Sequence, residues 1–341
     1  MKYFSDHCIL RWWTICLISF LGIACSKEPD GYPSDGRTAS ITLQIPMLQT
    51  VSTRVPVNGD ENAINHLRVI ILSQGATSIN QTFGASDLTN GSITIDNVPV
   101  GPVQMYVIAN ESSLGKDYSD LKALQADVDQ STQKVHIEDV NRMYFPKRGS
   151  EFPAGGLPMT WMDKNLTINP PTDSPQTVTV DLVRVVAKLN ILMNNALTTP
   201  ITINQMSFGE FFGNCLYLFA EQDLDVPDDT EYAAKEYTDL HIEIAGGKTE
   251  QLVLYIFPSF AWTDPQATSP YTISFHTEEE EYLPQSFVND YGALNSIARN
   301  TQVNIHATLS TPANVEINFE VVPWTEKSVV VPSFNGYMYS D

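Results

Sequence analysis

The sequence predicts an all-β protein, built as two tandem β-sandwich domains behind an N-terminal targeting segment. Three observations carry that expectation. Apolar residues recur with a period of two in segment after segment. Asn-Gly, Gly-Gly and Pro-Pro pairs separate those segments, in a chain holding 21 prolines. The length of 341 residues and a hydrophobic content of 43% suffice for about two ordinary cores.

Residues 1–24 read as an export signal. Lys2 and Arg11 make a weakly basic start despite Asp6, and Trp12 to Ala24 is almost wholly apolar. That run is too short for a hydrocarbon core of about 30 Å, which a helix crosses with about 20 residues. No later stretch approaches that length, so an exported chain without a transmembrane helix is expected. Cys25 follows at once. Bacterial lipoprotein signals end in small residues before a cysteine that becomes acylated; here Ala24 and Ile23 fit, while Gly22 stands where leucine is usual. Signal cleavage between Ala24 and Cys25 with lipidation of Cys25 is expected, the alternative being an ordinary secretory signal cut nearby. Residues 25–38, with Pro29, Gly31, Pro33, Ser34 and Gly36, read as a flexible tether between a lipid anchor in the outer membrane and the first strand.

Four cysteines are present, and Cys8 and Cys16 lie within the signal. Only Cys25 and Cys215 remain, too few for a disulfide framework. Cys215 reads as a small buried apolar residue.

Beyond the tether, ITLQIPM puts Ile41, Leu43, Ile45 and Met47 on one face. SITIDNV (92–98), TVTVDLV (177–183), LHIEIA (240–245), VNIHATL (303–309) and VEINFEV (315–321) alternate likewise. HLRVIIL (66–72), VQMYVIA (103–109) and QLVLYIF (251–257) are continuous and read as central strands buried on both faces. One helix is expected in DYSDLKALQADV, where Leu121, Leu124 and Val128 share a face. The domain boundary is placed in INPPTDSPQ, giving an N-terminal sandwich over 39–175 and a C-terminal one over 176–341. The acidic runs EEEE (278–281) and DLDVPDD (223–229) read as solvated loops, without the ligand spacing of an EF-hand.

The chain carries 40 acidic against 19 basic residues, for a net charge of −21. No basic footprint is available for phosphates, so nucleic acid is excluded as a partner. No HExxH, HxH or Cys–His spacing suggests zinc, and no GxSxG elbow or phosphate-cradling glycine loop is present. The expectation is a non-enzymatic protein without cofactor or metal.

The segment LQTVSTRVPVNGDENAINHLRVIIL (48–72) stands apart. It joins two strand patterns through a Ser/Thr-rich stretch carrying Arg54 and an acidic loop. An exposed loop is where proteases cut most readily, so cleavage between Arg54 and Val55 would release the strand at 39–48 with its lipid. Arg37, in PSDGRTAS, is the other candidate; a cut there would free the anchor but leave the strand in place.

These features resemble the fimbrillin family, the major fimbrial subunit proteins or type V pilins of Bacteroidetes. The likeness is carried by the lipoprotein start, the arginine before ENAINHLRVIIL, NVPVGPVQMYVIANE (97–111), RVVAKLNI (184–191), IARNTQVNIHATL (297–309) and VEINFEVVPWTEKSVVVPSF (315–334). The resemblance implies two transthyretin-like β-sandwiches, exported as a lipidated precursor. It further implies an arginine-specific protease that removes the N-terminal edge strand, and a strand of the next subunit that fills the groove. Here the displaced strand would carry Ile41, Leu43, Ile45 and Met47. The donor would be the tail, with Val329, Val331, Tyr337 and Tyr339, unless 329–334 completes its own sandwich. The partners implied are other fimbrial subunits and a host or bacterial surface ligand. Shaft, tip and anchor roles all fit; an anchor keeps its lipid. A glycan-binding surface lipoprotein is the competing reading, with Trp161, Trp262 and Trp324 as platform candidates. A glycosidase would need two carboxylates about 5–9 Å apart in a cleft.

Overall fold

A computed structural model describes residues 36–46, 61–138 except 75 and 89, 155–310 except 223, and 314–324. The strands of the first half are β1 (Thr38–Gln44), β2 (His66–Ser73), β3 (Ala76–Gly84), β4 (Ser92–Pro99) and β5 (Gly101–Ala109). The helix α1 (Leu121–Ala126) comes next, then β6 (His136–Glu138), β7 (Met159–Ile168), β8 (Gln176–Thr179) and β9 (Val183–Arg184). The second half begins with β10 (Ala187–Asn195), β11 (Ile201–Gly213), β12 (Cys215–Tyr217), β13 (Tyr232–Tyr237), β14 (Ile242–Ile244) and β15 (Thr249–Ile256). It ends with β16 (Thr272–Thr277), β17 (Glu281–Ser286), β18 (Val288–Asn289), β19 (Gly292–Ala293), β20 (Thr301–Ser310) and β21 (Asn314–Pro323). The all-β expectation holds. Among the described residues no helix is long and apolar enough to cross a membrane.

Two sheets face each other over the first core. One has the order β4-β1-β8, the other β3-β2-β5-β7-β9. Between them lie Ile41, Leu43, Ile45, Leu67, Val69, Ile95, Met105 and Val107, all shut from solvent. The chain passes from one sheet to the other at Gly101, whose φ of +111° is a conformation that favours glycine. A second crossing follows β8. TVTVDLV is therefore not one strand: it splits into β8 and β9 in opposite sheets, with Val180 and Leu182 buried in the crossing. Both pieces lie beyond residue 175 yet pair with strands of the first half.

A four-stranded sheet, β15-β10-β20-β21, and a mixed-order sheet, β13-β11-β16-β17 with β14 beside β11, enclose the second core. HLRVIIL and VQMYVIA form central strands β2 and β5 as expected. QLVLYIF does not. It lies in β15 at a sheet edge, and its run from Leu252 to Phe257 is buried by packing against both faces rather than by lateral pairing on both sides.

Helix α1 starts where Asp120 accepts a hydrogen bond from the Lys122 N–H at 3.0 Å, an N-cap that satisfies an otherwise orphaned donor. Leu121 and Leu124 pack against the second core. Arg68 of β2 makes a bidentate pair with Glu111 at 2.6–2.9 Å, and both are buried. Nη1 also reaches Asn80 and Nη2 reaches Asp117, so each nitrogen of the guanidinium enters the interior with a partner.

Candidate functional site

Strand β1 is the element on which the sequence reading turned. Its alternation TASITLQ gives the burial pattern expected of a strand with one dry face. Ala39 is nearly buried, and Ile41, Leu43 and Ile45 are completely so; Ser40, Thr42 and Gln44 face outward. The expectation of an edge strand is corrected. β1 is the middle strand of its sheet, antiparallel to β4 and parallel to β8. Leu43 stands opposite Ile93 on one side and Val178 on the other. A bulge between Ala39 and Ile41 fixes the register with β4.

The ends are tied as well. The Ile45 N–H donates to the Gly91 carbonyl at 2.7 Å, and the Gln44 carbonyl accepts from the Val180 N–H at 2.8 Å. The carbonyl of exposed Arg37 accepts from Val100 at 3.1 Å. At about 1.5–3 kcal/mol for each large buried apolar side chain, Ile41, Leu43 and Ile45 contribute about 5–9 kcal/mol. That is comparable to the whole stability of an ordinary domain. Taking β1 away would uncover backbone donors and acceptors on both β4 and β8, together with the apolar floor beneath them. The vacated slot would need another strand.

Downstream of β1 lies a polar cluster that the sequence reading missed. Glu61 is its centre. Its carboxylate accepts from the Tyr255 hydroxyl at 2.7 Å, the Trp324 indole N–H at 2.9 Å and the Lys188 ammonium at 2.9 Å. The β10–β15 register sets Lys188 directly beside Tyr255 beneath it. Burial by itself would push the Glu61 pKa up, but the Lys188 charge and the three hydrogen bonds outweigh it, and the pKa is lowered. The Tyr255 hydroxyl is shifted strongly upward, by burial first and then by the neighbouring carboxylate.

Trp324 is held from every side. Its ring stacks on Tyr255 at 5.8 Å between centroids, and the Arg184 guanidinium lies over it at 4.4 Å. Its backbone N–H donates to the Asn300 carbonyl at 3.1 Å, and its backbone carbonyl accepts from Arg184 at 3.2 Å. Arg184 also reaches Asn300, the Glu61 carbonyl and the Asn62 side chain. The clamp thus grips the chain at 61–62, after the stretch with Arg54, and at 324, before the tail. ENAINHL and VVPWTEK showed an acid and a tryptophan, but contacts across 263 positions leave no local signature.

Of the residues singled out in the sequence, Ile41, Leu43 and Ile45 share the inner face of β1. Ala24, Cys25, Met47, Arg54, Val55, Val329, Val331, Tyr337 and Tyr339 lie outside the described residues. The three tryptophans make no common platform: Trp161 packs on the first core, Trp262 on the second, and Trp324 is locked in the clamp.

The fold is that of bacterial fimbrial β-sandwich proteins. It is similar to the tip fimbrial protein Mfa3 from Porphyromonas gingivalis, C-terminally truncated, with a TM-score of 0.51 and 14% identity over 84% of this chain and 99% of that one. A putative cell adhesion protein from Bacteroides eggerthii gives a TM-score of 0.50 and 15% identity over 85% and 97% of the two chains. The chain belongs to the family of fimbrillin-A associated anchor proteins Mfa1 and Mfa2, whose model matches residues 49–330. The fimbrillin resemblance read from the sequence stands with that finding. None of the curated proteins matches the sequence significantly.

Proposed function

We propose that this fimbrial protein is a two-domain subunit delivered to the outer membrane as a lipoprotein acylated on Cys25. An arginine-specific protease cuts between Arg54 and Val55, β1 leaves with its lipid, and a strand of a neighbouring subunit takes its place. Polymerised subunits then stand on the cell surface and support adhesion to a host or bacterial ligand. The observation that carries this reading is the position of β1: a middle strand with three fully buried side chains, joined to the rest by residues 47–60. The incoming strand would present apolar residues at alternate positions, matching the floor that Ile41, Leu43 and Ile45 now cover. The tail after Trp324, with Val329, Val331, Tyr337 and Tyr339, is the donor proposed for the next subunit.

The test is the N-terminus of the subunit purified from native fibres, read by sequencing and intact mass. A terminus at Val55 supports exchange. A terminus at acylated Cys25 overturns it for this chain. The family match to anchor proteins supports one second reading, an anchor that keeps both its lipid and β1. The Cys25 terminus is the outcome expected of that role.

A further inference from the structure

Away from β1, the short ribbon of β6 and β12 brings together residues 79 positions apart. Its register sets His136 opposite Tyr217 and Glu138 opposite Cys215. With a period of two, these four side chains share one face, while Ile137 and Leu216 point the other way into the core. Three of them, His136, Glu138 and Tyr217, line a cavity of about 560 Å³ rimmed by Asp129, Asp228 and Asp229, with Cys215 buried behind it. Residues 224–229 are therefore more than a solvated loop. Asp225 pairs with Lys134 at 2.7 Å, which seats the loop against the ribbon and carries Asp229 over His136.

Three donor atoms converge there. An imidazole nitrogen of His136, the Cys215 sulfur and an Asp229 carboxylate oxygen all lie within 4.8 Å of one another. The His136 Nε2 is shut from solvent and has no hydrogen-bond partner; the Asp229 oxygen stands 3.8 Å away, beyond bonding reach. Folds rarely leave such an atom unsatisfied without a use for it. We propose that His136, Cys215 and Asp229 bind a divalent transition cation of the zinc class.

The donor set selects that class. Calcium and magnesium take oxygen ligands, whereas one nitrogen, one sulfur and one oxygen suit a borderline-soft ion such as zinc. Tetrahedral zinc places such ligands about 3.4–3.6 Å apart, given metal–ligand bonds of about 2.0–2.3 Å. The His136–Asp229 gap is 3.8 Å and those to the Cys215 sulfur are within 4.8 Å, so the ligands must draw in by about 0.4–1.2 Å, with the 73% exposed Asp229 side chain best placed to move. Water, or a carboxylate such as Glu138 or Asp228, completes the fourth position. The charges balance: the ion's two positive charges meet the Cys215 thiolate and the Asp229 carboxylate. Each ion bound displaces the thiol proton to solvent, while His136 binds as the neutral ring. The Cys215 sulfur lies 3.3 Å from the Thr230 hydroxyl, a contact that a bound thiolate can keep by accepting from it. The lysines nearby are engaged elsewhere, Lys116 with Asp127 at 2.8 Å and Lys134 with Asp225. A bound ion would tie β6 of the first half to β12 and its following loop in the second.

The test uses the untagged full chain, reduced and stripped of metal, titrated with zinc or cobalt(II) alone. One equivalent should bind, releasing about one proton per ion at neutral pH. Cobalt should give a thiolate charge-transfer band in the near ultraviolet, and zinc should raise the thermal midpoint. Cys215→Ser should abolish the band. Asp229→Asn, at an exposed position that cannot unfold the protein, should lower affinity by about tenfold or more. Absence of the band overturns the site, as does a band that survives Cys215→Ser. Binding that all variants leave unchanged overturns it too. The site shares no residue with β1 or the Arg54 segment, so its failure leaves the proposed subunit role untouched.

Discussion

Replacing Leu43 by alanine separates the precursor from the assembled state. Leu43 has no solvent exposure and sits in the middle strand, flanked by Ile93 and Val178. In that three-stranded sheet β4 and β8 pair with β1 alone, so the packing of Leu43 beneath β1 holds all three strands against the facing sheet. Leu→Ala changes at such sites cost about 2–5 kcal/mol, and we expect about 3 kcal/mol here. With a urea dependence of about 2 kcal/mol per molar, the unfolding midpoint of the first half should fall by about 1.5 M. Thr42→Ala, on the outer face of the same strand, should move it by less than about 0.5 kcal/mol. The discriminating arm is the fibre. If β1 is discarded during assembly, fibres grown from the Leu43→Ala precursor should resist heat and detergent as the wild type does. Ile95→Ala, on a strand that stays, should weaken precursor and fibre alike. Fibres weakened by Leu43→Ala in step with the precursor would refute the exchange, because β1 would then still be in place. An unchanged precursor midpoint would refute the packing derived for Leu43.

Arg54→Ala should abolish the Val55 terminus and stall the chain at its lipidated length, whereas Arg37→Ala should leave processing intact; N-terminal sequencing checks both. Cys25→Ser should remove the acyl mass and release the precursor from the membrane fraction. Glu61→Gln should destabilise the protein at neutral pH by about 1–3 kcal/mol, since it removes the charge paired with the partly buried Lys188. The Glu61 pKa is lowered in the folded state, so its contribution is complete above the unfolded value of about 4.5 and fades as pH falls through the folded one. The gap between wild type and Glu61→Gln, followed by urea unfolding, should therefore narrow below pH 4.5 and stay constant above it.

How much of this was legible in the sequence depends on the range of the signal. Alternation located β1, β4, β20 and β21 because it records which face of a strand is dry. It does not record what lies alongside, so β1 could not be told from an edge strand, nor β15 from a central one. The apolar run in β15 is continuous because both of its faces are buried although it pairs on one side only; Glu61 of the first half reaches its Tyr255 hydroxyl. TVTVDLV alternated through a crossing because Val180 and Leu182 face the same core from between two sheets. The clamp around Glu61 and the cluster of His136, Cys215 and Asp229 were invisible for one reason. Each is assembled by pairings between strands distant in the chain, and searches for short ligand spacings pass over them.

The parallel alignment of β1 with β8 and its antiparallel alignment with β4 also have a mechanical meaning. A replacement strand in that slot, pulled along its length, loads both rows of hydrogen bonds in shear, so they must yield together rather than unzip singly. At the other end, force drawn through the tail arrives at Trp324, whose carbonyl and ring are gripped by Arg184, and Arg184 belongs to the strand paired with Met159 and Thr160. In a fibre so joined, tension would run from slot to clamp through the body of each subunit, and the weakest link would be set by geometry rather than by any single strong bond.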